Sequence, residues 1–340
     1  MMKYTMSHTV TLGEETRFHV SSHETVLNAA TRQNLNLPHS CKNGICGQCK
    51  ADLISGEMTM SEHSAKALSA QEKAQGKILL CCTTAQSDLS IHIDGYNPHA
   101  QKVKTLPARI EHIRIQHNVA ILRLGLPKTS AFSFSAGQYI DLLLPGNIVR
   151  SYSIANAPDQ NGFIELHIRH RNDGVCSNMI FKQPPVLKEK GIVRIKGPLG
   201  TFGLQKESNK PIIFLATGTG FAPVRSMLAE LIRQQSNRAV HLYWGAREIQ
   251  DLYALSEAQD YLGRLNHSRF TPVLSAPTPD WQGDCGHVQD ITARDYPDLS
   301  AYEVYACGAP AMIEHAFSLF TTECSLPKDA FYSDAFTQAA

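Results

Sequence analysis

Three cysteines crowd into Ser40-Cys41-Lys42-Asn43-Gly44-Ile45-Cys46-Gly47-Gln48-Cys49, and the adjacent pair Cys81-Cys82 follows after a long gap. Thiolates ligate iron, and C-x4-C-x2-C with a distant fourth cysteine is a spacing that holds a [2Fe–2S] cluster. A short loop that aims three sulfurs at two irons must bend sharply, and Gly44 and Gly47 reach the positive φ such a bend needs. Two other uses of cysteine compete. A disulfide framework belongs to small secreted chains, and structural zinc pairs two C-x2-C knuckles where this sequence has one.

A second constellation is Arg150-Ser151-Tyr152-Ser153. Arginine, aromatic and hydroxyl on one strand face would let Arg150 meet a phosphate, Tyr152 lie along a ring or ribose, and Ser153 hydrogen-bond a flavin nitrogen. Read alone, such a strand is equally a solvated face. His167 and Arg169 on the next strand join the candidate cofactor-binding set. Gly174 and Val175 lead into a helix expected to open at Ser177, and a helix N-terminus attracts anions. With Arg150 it would bracket the pyrophosphate of FAD. Gly197-Pro198-Leu199-Gly200-Thr201-Phe202-Gly203 reads as a turn that closes this region, either lining the flavin or serving as a tight connection and nothing more.

The third constellation begins where Pro211–Ala216, a continuous apolar strand, runs into Thr217-Gly218-Thr219-Gly220-Phe221-Ala222-Pro223. Strand, glycine turn and helix is the context in which a glycine motif binds a dinucleotide, and Pro223 suits a first helical turn. Val224, Met227, Leu228, Leu231 and Ile232 then form one helical stripe. After the strand 239–244, Arg247 would favour a 2′-phosphate and Glu248 a free 2′-hydroxyl, so the choice of nicotinamide cofactor stays open. Cys307-Gly308 ends another apolar strand, where ligands of open parallel sheets bind, although a buried, inert thiol is an equal reading. The closing Phe331–Phe336 is packing, or with Phe336 a lid on the flavin.

These residues sit in three kinds of text. The first 98 residues read as a small mixed fold: strands at 8–12 and 16–20, a helix at 25–31, and strands at 50–54 and 89–93. They carry eight Lys/Arg against nine Asp/Glu, too mild a balance for strong electrostatic docking. A polar, proline-bracketed linker is expected at 99–107. From 108 to 207 the period is two, with about six strands, the count of a small antiparallel barrel. From 208 to 340 apolar strands alternate with helices, the pattern of a parallel sheet covered on both faces.

The 340 residues, 43% hydrophobic and 19% charged, describe a globular chain of two or three domains. Lys+Arg 32 against Asp+Glu 31 indicates no bulk attraction to nucleic acid or to an anionic membrane. The start lacks the apolar run of a signal peptide and no transmembrane run occurs. Nine cysteines without a secretion signal fit a reducing, cytoplasmic setting.

In this order, the modules resemble the iron–sulfur flavoprotein reductases of the ferredoxin–NADP reductase superfamily. The likeness rests on Arg150-Ser151-Tyr152-Ser153, on the G-x-G-x-x-P form of Gly218–Pro223, on Cys307-Gly308 and on Ser333-Asp334-Ala335-Phe336. Arg150–Pro158, Asn178–Phe181 and Phe331–Phe336 are especially similar to the reductases of dideoxysugar synthesis. Trp244-Gly245-Ala246-Arg247 is shared with those of ring-hydroxylating dioxygenases. The resemblance implies a β-grasp [2Fe–2S] ferredoxin domain, a six-stranded Greek-key flavin barrel and an α/β NAD(P)-binding domain. In plant-type ferredoxins a Ser-Asp pair follows the last ligand, and Ser87-Asp88 at the matching offset selects Cys81 over Cys82 to join Cys41, Cys46 and Cys49.

The relay so implied runs from NADH (NADPH is possible) through FAD and the cluster to an electron-accepting protein. Flavin must stand between, because nicotinamide releases two electrons together whereas the cluster takes one. Ser153, Cys307 and Phe336 are the candidate catalytic residues. The acceptor is either a pyridoxamine phosphate-dependent dehydrase or an oxygenase component. A generic NAD(P)H–flavin reductase and a redox sensor are the competing readings.

Overall fold

Alternating burial over the first described residues produces a hairpin. β1 (Ser7–Leu12) and β2 (Thr16–Ser21) pair antiparallel, with Val10, Leu12, Phe18 and Val20 buried on one face. This computed structural model describes residues 7–94, 96, 102–158 and 162–336. They fall into two units, one reaching to Lys104 and including Pro198–Thr201, the other holding Thr105–Gly197 and everything from Phe202 onward.

In the first unit, α1 (Val26–Arg32) is capped by Thr25, whose Oγ1 accepts from the Asn28 N–H at 3.2 Å. There follow β3 (Lys50–Ser55), β4 (Met58–Met60), α2 (Ala70–Ala74), β5 (Lys77–Leu79), β6 (Thr83–Ala85) and β7 (Leu89–His92). Five strands form one sheet in the order β2-β1-β7-β3-β5, with β1 and β7 parallel, while β4 and β6 make a separate ribbon. Val26, Leu27, Ala29 and Ala30 of α1 join Leu37, Leu79, Leu80 and Ile91 in the core. The ribbon, α2 and β5 carry too few residues for periodicity to reveal them.

β8 (Lys104–Gln116) begins at the last residue of the first unit and runs through the second, so Lys104–Pro107, expected in the linker, are already strand; His99–Gln101 lie outside the described residues. β9 (Val119–Gly125), β10 (Tyr139–Leu144), β11 (Ile148–Ser153), β12 (Phe163–Arg169) and β13 (Ile192–Leu199) complete six strands in the order β11-β10-β13-β8-β9-β12. An isolated bridge, Ile154 to Leu166, links the two end strands and closes the barrel. β8 bulges between Ile110 and His112, which is why its isoleucines depart from strict alternation. β13 continues through Gly197-Pro198-Leu199, expected as turn, because Leu199 is fully buried.

α3 (Val175–Phe181) begins two residues before the expected Ser177. The parallel sheet follows: β14 (Ile212–Thr217), α4 (Phe221–Arg233), β15 (Val240–Ala246), α5 (Leu255–Gly263), β16 (Ser268–Leu274), β17 (Asp284–Cys285), α6 (Val288–Asp295), β18 (Glu303–Gly308), α7 (Pro310–Glu323) and β19 (Phe331–Ala335). Its order is β17-β16-β15-β14-β18-β19, every pair parallel. The closing aromatic stretch is therefore the sixth strand of this sheet. No helix among the described residues is long and apolar enough to cross a membrane.

Candidate functional site

The cysteine loop is positioned by the ladder between β3 and β5. Lys50 pairs with Leu79, and the Leu80 N–H donates to Cys49 O at 3.0 Å, so Cys49 and Cys81 emerge side by side at one end of the ladder. Their sulfurs stand 3.3 Å apart, both buried. Cys41 and Cys46 form a second pair. The Ile45 and Cys46 N–H groups donate to Cys41 Sγ at 3.4 and 3.3 Å, and the Cys41 and Gln48 N–H groups to Cys46 Sγ, both at 3.5 Å. Gly44 and Gly47 sit at φ +75° and +73°. A Cβ on Gly44 would lie 2.7 Å from Cys82 Sγ, and one on Gly47 2.8 Å from Ala67 O, so both conformation and space require glycine.

The electrostatics favour the thiolate at Cys41. The Cys46 thiol and the N–H groups of Asn43, Cys46 and Ile45 hold Cys41 down to about 6, against its burial. Cys46, sharing that proton and desolvated, is pushed up, as is Cys81 beside Cys49. Among the described residues no three His, Cys, Asp or Glu side chains gather as for a single metal ion. The four sulfurs stand instead as two pairs, which suits two irons bridged by sulfide. Cys82 Sγ lies 3.6 Å from Cys81 Sγ and donates weakly to Glu62 O at 3.9 Å, away from the paired sulfurs of the loop.

In the second unit the residues of β11 divide by strand period. Arg150 and Tyr152 share one face, while Ser151 and Ser153 share the other; the expectation that Arg150, Tyr152 and Ser153 project together is corrected. Ser151 Oγ donates to Asp141 Oδ1 at 2.6 Å on the paired strand β10. Burial, and then the Cys176 thiol on α3, push the Tyr152 hydroxyl's pKa up. Ser177 does not cap its helix. Its hydroxyl donates to Arg171 O at 3.2 Å and Gly174 O at 3.1 Å, tying the preceding loop, and Gly174 takes the N-cap position without a side-chain cap. The first turn, beginning at Val175, thus has no side-chain cap hydrogen bond among the described residues.

Ser153, buried, donates from Oγ to Asp334 Oδ2 at 3.5 Å. Asp334 on β19 pairs in register with Cys307 on β18, which is fully buried; desolvation, and then Asp334, push its thiol well up. The backbone of Cys307 lies against Gly220, where any Cβ would collide with Cys307 O. Ser153, Asp334 and Cys307 thereby converge at the carboxyl end of the parallel sheet, beside the glycine turn. Asp334 was part of a motif in the sequence, but its role appears only through the β18–β19 register.

Neighbouring strands hold the glycine turn. Thr217 Oγ1 accepts from the Ala309 N–H just beyond Gly308 at 2.9 Å, and Trp244 Nε1 donates to Gly218 O at 3.0 Å. Thr219 lies within the 3-10 turn that runs into α4, and Pro223 is buried in the first turn of that helix. Arg169 reaches across from β12, with Nη2 3.5 Å from Asp251 Oδ1 and Nη1 3.2 Å from where a Cβ on Gly218 would stand. His167 does not face a cleft: its side chain is wholly buried, with Nδ1 2.7 Å from the Tyr253 hydroxyl and Nε2 3.1 Å from Glu165 Oε1. Arg247 is exposed beyond β15, whereas Glu248 caps its own turn with Asp251 and accepts from Gln250 Nε2 at 2.9 Å. Phe336 packs against the sheet's core and donates its N–H to Gly308 O at 2.8 Å.

Comparison with known proteins finds three domain families along the chain. The 2Fe-2S iron-sulfur cluster binding domain family matches residues 10–86, the oxidoreductase FAD-binding domain family 108–203, and the oxidoreductase NAD-binding domain family 214–317. The CDP-6-deoxy-L-threo-D-glycero-4-hexulose-3-dehydrase reductase of Yersinia pestis is 44% identical over 92% of this chain and 93% of that protein. The chain belongs to the iron–sulfur flavoprotein reductases of the ferredoxin–NADP reductase superfamily. The phenol hydroxylase P5 protein of Acinetobacter pittii is 31% identical over 98% of this chain and 96% of its own length. Among solved structures, the Amycolatopsis cytochrome P450 reductase GcoB superposes with a TM-score of 0.81 at 29% identity, covering 98% of this chain and all of that one. The chain is an oxidoreductase with domains for a [2Fe–2S] cluster, FAD and NAD, and it passes electrons from NAD(P)H through FAD to the cluster.

Proposed function

We propose that this reductase delivers its electrons to a dehydrase acting on a CDP-linked 6-deoxyhexulose, as the name of its Yersinia pestis relative describes. The observation that carries the reading is 44% identity extending over 92% of the chain, across all three domains, against 31% for the phenol hydroxylase component. A pyridoxamine phosphate-dependent dehydrase would take its electrons singly from the iron–sulfur outlet of this chain. The acting residues are assigned as follows. Cys41 and Cys46 would hold one iron, Cys49 and Cys81 the other, as their pairing supports. Arg150 and the uncapped first turn at Gly174–Val175 would take the flavin pyrophosphate, with Tyr152 beside it. Thr217–Gly220 would receive the nicotinamide dinucleotide.

Bound together, NAD(P)H supplies a hydride, flavin accepts the pair, and the cluster carries single electrons onward. Ser153, oriented by Asp334, would hydrogen-bond the reacting edge of the flavin ring, while buried Cys307 and the aromatic Phe336 keep water from it. The test is reconstitution. With NADH, this chain and a CDP-6-deoxyhexulose dehydrase, NADH oxidation coupled to formation of deoxygenated sugar is expected, and an oxygenase component should not couple. Coupling to a phenol hydroxylase oxygenase alone would overturn the assignment.

A further inference from the structure

Arg225 lies on α4, five residues past Gly220, and its guanidinium is almost completely buried between three elements. Nη1 donates to Ala155 O at 2.8 Å and stands 3.1 Å from Glu165 Oε1 on β12; Nε and Nη2 both reach Glu257 Oε1 on α5 at 2.7 Å. The cation also lies over the Tyr261 ring, 5.3 Å from its centroid. The neighbouring Ser226 Oγ donates to Asn156 O at 2.6 Å. Ala155 and Asn156 lie two and three residues past the strand end at Ser153, and they are fixed in turn to β12: Ala155 N–H donates to Glu165 O at 2.8 Å and Glu165 N–H to Asn156 Oδ1 at 2.8 Å. Glu165 also holds His167, which binds Tyr253.

This knot joins the backbone next to Ser153 with the helix that springs from the glycine turn. As a source of stability it is a poor choice, since desolvating a guanidinium and two carboxylates offsets most of their attraction, and an apolar contact would close the seam as well. What a planar fork supplies is direction, because its donors fix angle and distance together. Hydride transfer needs its reacting atoms within about 3–3.5 Å, and a displacement of about 1 Å can cost roughly a hundredfold in rate.

We propose that Arg225 is a positioning residue for hydride transfer: it sets the distance between the Ser153 strand and the Gly218–Gly220 turn. The inference rests on the reading that flavin lies against the first and the nicotinamide against the second. The test uses the full-length, flavin-loaded protein, with Arg225→Lys, which keeps a cation between the carboxylates, and Arg225→Met. Flavin bleaching is followed anaerobically in stopped flow against NADH concentration, together with flavin content and the visible spectrum. The limiting rate should fall about tenfold in Arg225→Lys and about a hundredfold in Arg225→Met, while NADH affinity and the flavin content of Arg225→Lys stay within about threefold of the parent. Limiting rates within about twofold of the parent in both variants, or loss of flavin from Arg225→Lys, would overturn the role of Arg225 alone. A parent protein that bleaches with neither NADH nor NADPH would overturn the underlying reading as well.

Discussion

Cys81 and Cys82 are adjacent, yet only Cys81 has a second loop sulfur beside it, Cys49 at 3.3 Å; Cys82 lies under Gly44 instead. Cys82→Ser should therefore retain the visible absorbance and labile sulfide of the cluster, whereas Cys81→Ser loses both; the reverse pattern would reassign the ligand. The cysteine loop at 41–49 was legible because thiol chemistry and loop spacing are local, whereas Cys49 and Cys81 meet across 32 positions. Ser153 was legible as a residue but not in its orientation, since strand period sets it opposite Arg150. Asp334 could not be assigned a role from the sequence, because its contact with Ser153 joins residues 181 positions apart. Asp334→Asn keeps the shape and removes the charge that orients the hydroxyl. We expect flavin reduction by NADH to slow by roughly tenfold or more with flavin content unchanged, read in single-turnover stopped flow.

At the scale of elements, long strands and helices followed from the apolar pattern: the six barrel strands, the apolar β14, and the Val224–Leu231 stripe of α4 were all readable. Short or irregular pieces were not. α3 starts at Val175 because the Ser177 hydroxyl is taken by Arg171 and Gly174, a competition that residue preference alone cannot see. The sheet also carries a titration with a defined sign. His241 on β15 is buried, stacked on Tyr243 at 4.1 Å, and bonded to the Tyr296 hydroxyl at 3.0 Å and Thr271 Oγ1 at 2.8 Å. Desolvation lowers its pKa to about 4 from 6.5. The folded state thus disfavours the proton, so the contribution is complete above 6.5 and is lost as pH falls toward 4, up to about 3 kcal/mol. Urea midpoints measured at pH 7 and 4.5 should drop less on acidification for His241→Gln than for the parent. Equal drops would remove His241 from the acid response.

At the scale of the whole molecule, module order was legible because each domain has its own grammar: a cysteine loop, a period of two, and strand–turn–helix repeats. The polar knot around Arg225 was not, because Glu165, Arg225 and Glu257 sit at ordinary positions on three separate elements and meet only in the folded unit. The relay depends on storage of electrons by one polypeptide at both a flavin and an iron–sulfur centre. It is tested most directly by anaerobic titration of the purified chain with a strong one-electron reductant, followed by absorbance and electron paramagnetic resonance. Uptake of about three electrons per molecule is expected, two at the flavin and one at the cluster. Cys41→Ser should take up about two electrons with the flavin spectrum intact. Uptake by the parent of only about two, with no signal from a reduced [2Fe–2S] centre, would contradict it.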